Sequence, residues 1–469
     1  MAAVSEPLIV AAAQLSARPL TQADETLEAI DAAIAQAGHK RADLLVLPEC
    51  AYPAYILGSV DTYRSAKHLT GREYVTWLAK RAAQHRINIV SGFVHDETDQ
   101  LYNAAVVIDE RGRVLGSSKK RFLWHADHDW FAPGDDIPVF DTPIGKIGVV
   151  ICAETRTPEI IATQIAAGAE ILAMPTCWVN GTTEPGRFIN PQIEFLMEAR
   201  AREFGVPFVC ADKSGIEGTV GYVGHSRIHR ADGSIAAEAP PTGDAVIAAR
   251  IVPRRPYPVW MSATRRERLT SDAPAVRRDG HDARKVTIAA LPTVVADERY
   301  TGGMGETLFQ PLKDQGATLL LVNMAFESTA EQLEMLANAY DIKAVAFPTR
   351  TDVFEWGPAR AGCVAGQWMN AFPAARTLSL DGAEVLLCFD VPDDLPLLRT
   401  RALENRVFLV GVNQRRAYIL SPAGELLAQT RRDTPSEAVA TVDLNQANDK
   451  RVAPRTDVFG ERRPGAYRF

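Results

Sequence analysis

Apolar and polar positions follow two rhythms along the chain. Short, nearly continuous apolar runs predict buried strands at Leu8 to Ala13, Leu44 to Leu47, Ile87 to Val94, Lys146 to Cys152, Ala169 to Met174 and Val206 to Ala211. Between them the period lengthens. Thr26 to Ala37 places Leu27, Ile30, Ile34 and Ala37 on one face of a helix, with Gly38 as its expected stop. Further helices are predicted around Glu73 to Gln84, over Pro158 to Ala167 and over Ile193 to Glu203, and a hairpin turns at Arg111-Gly112 between Ala104 to Asp109 and Val114-Leu115. Helices alternating with apolar strands imply a layered α/β domain.

The pattern breaks at Ile251 to Lys285, where Pro253, Pro256, Pro258 and Pro274 mix with three arginine doublets. It then resumes as an apparent repeat. Val286 to Leu291 echoes Leu8 to Ala13, Gly316 to Val322 echoes Arg41 to Leu47, Arg401 to Val410 echoes Arg200 to Val209, and Tyr418 to Leu444 echoes Arg227 to Ile251. A period of hundreds of residues is a domain duplication, not a solenoid. The expected organisation is therefore a first domain over 1–252, a linker or arm over 253–285, and a second, shorter domain over 286–469.

Composition narrows the function classes. The 469 residues carry 51 basic and 58 acidic side chains, a formal net charge of −7. That acidity argues against a nucleic-acid binder, which needs a basic face. No run reaches the ~20 apolar residues of a membrane span, and the N-terminus has no basic region ahead of its short apolar run. The six cysteines are scattered with no C-x-x-C pair, which suggests neither a zinc knuckle nor a disulfide framework. A cytoplasmic, reducing location is expected.

Three residues stand at the ends of predicted strands, where open α/β folds collect reactive groups: Glu49, Lys120 and Cys152. Their types fit one chemistry. A thiol titrates near ~8.5 and needs help to act as a nucleophile. An ammonium would stabilise a thiolate, a carboxylate would carry the proton to a leaving amine, and the backbone N–H of Ala153 would join the ammonium around an oxyanion. Each residue alone also fits a plainer reading: a solvated carboxylate, one charge of the Lys119-Lys120-Arg121 run, and a core thiol.

The surrounding residues decide between them. Leu44 to Tyr52 (LLVLPECAY), Lys119 to Gly134, Ile147 to Glu159, Gly168 to Pro175 and Gly221 to Ile228 occur in order over about residues 8 to 251. Together they resemble the signature blocks of the nitrilase superfamily of carbon–nitrogen hydrolases. The resemblance implies an αββα sandwich and a Glu-Lys-Cys triad, with Glu49 matching the base, Lys120 the lysine and Cys152 the nucleophile. Lys119 competes with Lys120, but the spacing to Leu123 favours Lys120. Asp127 stands where many members carry a second glutamate. Arg156, Trp178, Tyr52 and Glu154 are further pocket candidates; Arg156 would either anchor a substrate carboxylate or hold its loop. His125 and His128 flank Asp127, but the family uses no metal, and neither a metal nor another cofactor is expected.

The second half looks like a degenerate copy. Met324 falls at the Glu49 position, no clear lysine block follows, and Cys388 fits either the nucleophile strand or the strand after it. Arg462 to Tyr467 resembles the tail that closes many such domains. Because members commonly pair as dimers, the expectation is an intramolecular pseudo-dimer, with further homo-oligomerisation open. The substrate class implied is a small-molecule amide or carbamoyl compound. A nitrilase acting on C≡N and a catalytically inert scaffold are the alternatives.

Overall fold

The computed structural model describes residues 6–181, 190–278, 284–292, 305–323, 327–346, 352–431 and 436–469. The chain divides into two compact units. The first comprises 1–260, 453–456 and 461–469, and the second 261–452 and 457–460. The tail that the sequence left with the second domain therefore groups with the first.

The first unit begins with β1 (Leu8–Ser16), β2 (Leu44–Val46), β3 (Asn88–Glu97), β4 (Gln100–Ile108) and β5 (Val114–Lys119). It continues with β6 (Val139–Thr142), β7 (Gly145–Val149), β8 (Ile171–Pro175), β9 (Phe208–Ala211), β10 (Lys213–Glu217), β11 (Val220–Val223), β12 (Arg227–His229), β13 (Ile235–Glu238) and β14 (Ala245–Ile251). One sheet runs β11-β10-β1-β2-β3-β4-β5, with β14 antiparallel to β1; the other runs β13-β12-β9-β8-β7-β6. The sheets face each other through β1, β2 and β3 against β8 and β9. Helices Ala23–His39 and Gly71–His85 cover one outer face, and Pro158–Ala166 and Met197–Phe204 the other. This is the αββα layering expected. The first helix runs past Gly38 to His39. Gly38 is not a stop: it lies against the His85 ring, where a side chain would crowd the neighbouring helix.

The second unit comprises β15 (Lys285–Leu291), β16 (Leu319–Val322), β17 (Lys343–Val345), β18 (Val353–Trp356), β19 (Ala359–Ala365), β20 (Val385–Phe389), β21 (Phe408–Val412), β22 (Ala417–Leu420), β23 (Leu426–Gln429) and β24 (Ala438–Asp443). Strands β16, β20, β21 and β22 are buried at every position, on both faces, which is why they read as nearly unbroken apolar runs. Val286, Ile288 and Ala290 enter the core between the sheets, while Ala289 and Leu291 point into the helix layer.

Its six-stranded sheet, β18-β19-β20-β21-β22-β23, matches β6-β7-β8-β9-β12-β13 strand for strand, in order and in parallel or antiparallel sense. Even a register shift recurs, between Ile228 and His229 and between Ile419 and Leu420. The register is also shared. Ile147 pairs with Ile171, and Ala361 (147 + 214) pairs with Val385 (171 + 214). The other sheet, β17-β16-β15-β24, matches β3-β2-β1-β14 but stops there among the described residues, without counterparts of the β4–β5 hairpin or of β10 and β11.

Candidate active site

Glu49 follows β2 and Lys120 follows β5, so both stand at one end of the first sheet. The backbone at Glu49 is held by two neighbours. Its N–H donates to the Thr176 carbonyl at 3.3 Å, and the Ala51 N–H donates to the Gly92 carbonyl at 3.0 Å. A Cβ at Gly92 would lie 2.2 Å from the Pro48 oxygen and 2.6 Å from Glu49 Cα, so a glycine is required for β3 to run this close. The Lys120 N–H donates to the Asn103 carbonyl on β4 at 2.8 Å.

The side chains then converge. Lys120 Nζ donates to Glu49 Oε1 and to Asp127 Oδ2, each at 2.6 Å. Asn103 Nδ2 donates to Glu49 Oε1 at 2.6 Å and to Asp127 Oδ1 at 3.3 Å. The Tyr55 hydroxyl donates to Asp127 Oδ1 at 2.9 Å, and the Trp124 N–H to Asp127 Oδ2 at 2.7 Å. Glu49, Lys120 and Asp127 are all at most 1% exposed. Burial alone would make Lys120 a weaker base-bound cation, but Asp127 and Glu49 outweigh it and hold its pKa well above the ordinary value. Burial, with Asp127 adding to it, raises the Glu49 pKa against the pull of Lys120. A carboxylate raised in this way is suited to accept a proton and return it.

Cys152 lies just past β7, where the strand breaks into a 3₁₀ turn over Cys152–Arg156. Its φ is +46°, a left-handed backbone unusual for a residue with a side chain, and strain of this kind concentrates at functional turns. The residue is 7% exposed, and Sγ lies 3.8 Å from the Cys177 carbonyl oxygen. The thiol feels both neighbours: burial and Glu49 raise its pKa, and Lys120 lowers it, with the net shift upward. The Lys120 ammonium that lowers it is itself bonded to two carboxylates.

The peptide after Cys152 is fixed from behind. Gln192 Nε2 donates to the Cys152 carbonyl at 2.9 Å, and Thr155 Oγ1 donates to it at 3.1 Å. In a trans peptide the Ala153 N–H points opposite to that carbonyl, so anchoring one end aims the other.

Two of the expected pocket residues face inward instead. The Glu154 carboxylate takes bonds from Arg121 Nε, Nη2 and N–H and from the Ile151 N–H, all at 2.6–2.8 Å. This buried bidentate pair ties the residue after Lys120 to the residue before Cys152. Tyr52 stacks on Tyr74 with ring centroids 4.7 Å apart, and its hydroxyl accepts from the Leu69 N–H at 2.8 Å. Trp178 is fully buried, its backbone N–H donating to Asp212 Oδ1 at 2.7 Å. Arg156 sets its guanidinium 5.0 Å from the Trp124 ring centre. Asn103, Tyr55 and Gln192 were missed. Asn103 had a visible signal, as a polar residue in the otherwise apolar run of β4.

In the second unit the same offset of 214 carries Cys152 onto Gly366 and Met174 onto Cys388 (152 + 214 and 174 + 214). Cys388 thus lies on the counterpart of β8, not of the nucleophile strand. A Cβ at Gly366 would be 1.9 Å from the Asp390 carbonyl oxygen, so no side chain fits there. Met324 lies outside the described residues. A buried ion pair is shared: Arg200–Glu203 at 2.6 Å and Arg401–Glu404 at 2.8 Å. Each arginine Nε also donates to a carbonyl 2.9 Å away in the turn, that of Thr155 in one unit and of Met369 (155 + 214) in the other.

Residues 9–256, more than half of the chain, match the carbon-nitrogen hydrolase family. The chain belongs to that family. A probable nitrilase of Schizosaccharomyces pombe is 30% identical over 189 residues, 40% of this chain and 66% of that protein. An omega-amidase of Saccharomyces cerevisiae is 27% identical over 227 residues, 45% of this chain and 75% of that protein. This carbon–nitrogen hydrolase thus spans about two thirds to three quarters of those relatives. Among solved structures, the amidase of Nesterenkonia sp. AN1 aligns with a TM-score of 0.45 at 25% identity, over 53% of this chain and 91% of that one. Among the described residues of this hydrolase, no group of three or more His, Cys, Asp or Glu side chains could hold a metal ion, and no helix is long and apolar enough to cross a membrane.

Proposed function

We propose that the first unit hydrolyses the amide bond of a small molecule through a thioester on Cys152. The observation that carries this reading is a single buried ammonium, Lys120, bonded to both Glu49 and Asp127 beside a buried thiol. Attack forms the S–C bond while the thiol proton passes to Glu49, so no resting thiolate is needed. Lys120 and the Ala153 N–H hold the oxyanion. Collapse breaks the C–N bond, and the proton on Glu49 leaves with ammonia. Water then adds to the thioester, Glu49 takes its proton, the S–C bond breaks and the acid departs with the thiol restored. Asp127, with Tyr55 and Asn103 bonded to it, keeps Lys120 charged and placed throughout.

The second unit, in this reading, is a degenerate, non-catalytic copy of the same sandwich. The matching strand order and register, the repeated arginine–glutamate pair and the filled slot at Gly366 support it.

Ammonia release by the full chain from simple amides, carbamoyl amino acids and nitriles tests the function. Amides turned over by the native chain and untouched by Cys152→Ala is the expected result. Turnover of nitriles alone would transfer the assignment to C≡N chemistry, and turnover of none of the panel would remove the hydrolytic reading.

A further inference from the structure

The residues that close the first unit come from the far end of the chain, after the whole of the second unit. Residues 453–456 and 461–469 belong to the first unit, although 261–452 intervene. They reach both segments that carry the site. On one side the Arg462 Nε lies 3.3 Å from Glu159 Oε1, both groups buried, and the Arg468 N–H donates to Thr163 Oγ1 at 3.1 Å. Glu159 and Thr163 lie on the helix that follows the Cys152 turn.

On the other side stands the turn between Lys120 and Asp127. His125 there has φ +31°, a left-handed conformation for a residue with a side chain. Its N–H donates out of the turn to the hydroxyl of Thr456 at 2.8 Å. Thr456 is fully buried, and its hydroxyl reaches back to the Leu123 carbonyl at 3.5 Å. One hydroxyl thus bridges both sides of the turn. Two residues further on, Asp127 grips Lys120 and the Trp124 N–H through the same oxygen.

We propose that Thr456 is a positioning residue: it fixes the His125 turn from outside, and so sets where Asp127 holds the Lys120 ammonium. The inference rests on the hydrolase reading above. It makes the chain terminus part of the active site's support, so that the first unit is complete only once the second has been traversed. Without the hydroxyl the His125 N–H loses its acceptor within the turn, the turn relaxes, and Asp127 moves off Lys120. Lys120 faces Glu49, Asp127 and Cys152, and weakening the Asp127 contact lowers its pKa.

Full-length Thr456→Val and Thr456→Ser, assayed on an amide that the native chain turns over, test this. Thr456→Val should lower kcat on the order of tenfold, because small displacements of a reacting group are costly. KM should change less than about twofold, since substrate binding is not the affected step. The alkaline limb of the kcat profile should move to lower pH, and Thr456→Ser, which keeps the hydroxyl, should restore both readings. Thr456→Ala reads the same quantities if the valine variant proves insoluble. Native kcat and pH profile in the hydroxyl-less variant, or no recovery with serine, would overturn the proposal while leaving the hydrolase reading intact. A native chain that releases no ammonia from any amide would instead remove that reading, and this inference with it.

Discussion

The segments after β7 and after β19 share a strand frame and an arginine clamp, and differ in backbone and in what fills the space. Both follow a strand of identical pairing, and both are pinned by an arginine Nε on a turn carbonyl with a glutamate behind it. In the first unit the turn opens on Cys152 with a φ of +46°; in the second the matching residue is Gly366, which opens a short helix without a left-handed φ, and the Asp390 carbonyl fills the space a side chain would need. Two of the buried lysines show the same contrast. Lys120 has two carboxylates and is held charged. Lys450 donates to the carbonyls of Asn405 and Arg406, and burial, with Arg406 and Arg277 nearby, brings its pKa down to about 7. Scaffold and chemistry are thus separable: the ion pair that shapes the turn is shared, while among the described residues the nucleophile and the carboxylates that keep its lysine charged occur together only in the first unit.

The sharpest way to break this comparison is to exchange the two turn residues. Cys152→Ala should lower amide turnover by at least about a thousandfold, as expected for loss of a nucleophile. Gly366→Cys should add no activity and should destabilise the second unit, since its side chain would overlap the Asp390 carbonyl; kinetics of the Cys152→Ala/Gly366→Cys double variant and its thermal unfolding check both.

The shared ion pair provides the next test. Arg200→Met and Arg401→Met each remove the cation from a buried ion pair and should cost about 3–5 kcal/mol of stability in chemical denaturation. Only the first should also lower kcat, because only its turn carries Cys152.

Lys450→Met should have a smaller effect of opposite sign. Between about pH 7 and the ordinary lysine pKa near ~10.5, the unfolded chain binds a proton at Lys450 that the folded chain does not, so stability rises with pH in that window. The methionine variant should be more stable than the native chain at pH 7 by about 1 kcal/mol or more, and should lose that slope. The smallest effect is expected of Tyr55→Phe. It removes one of several bonds to Asp127 and should cost about 1 kcal/mol, with kcat lowered about fivefold or less.

Much of this arrangement is legible in residue order. Strands buried on both faces announce themselves as unbroken apolar runs, as in Leu319–Val322, where alternate leucines face the sheet core and the helix layer. Glu49 and Cys152 stand out because they end such runs, whereas Lys120 is picked out by the resemblance of the block around it. The internal clamps are harder to read. Glu154 looks like a pocket carboxylate until Arg121, thirty-three residues earlier, is seen to use both its oxygens. Tyr55 on Asp127 and Thr456 on His125 are separated by 72 and 331 residues, and no local pattern encodes such pairings. Gly38 is a smaller case: the helix runs one residue past it, and the glycine lies against His85.

The most direct test is chemical. Acid quenching of the native chain during turnover of a reactive amide traps the acyl-enzyme that has formed ahead of its hydrolysis. Peptide mass spectrometry after quenching should then find an acyl group on the peptide bearing Cys152, and none on those bearing Cys50, Cys177 or Cys388. An adduct on any of those three instead, with Cys152 unmodified, would contradict the account.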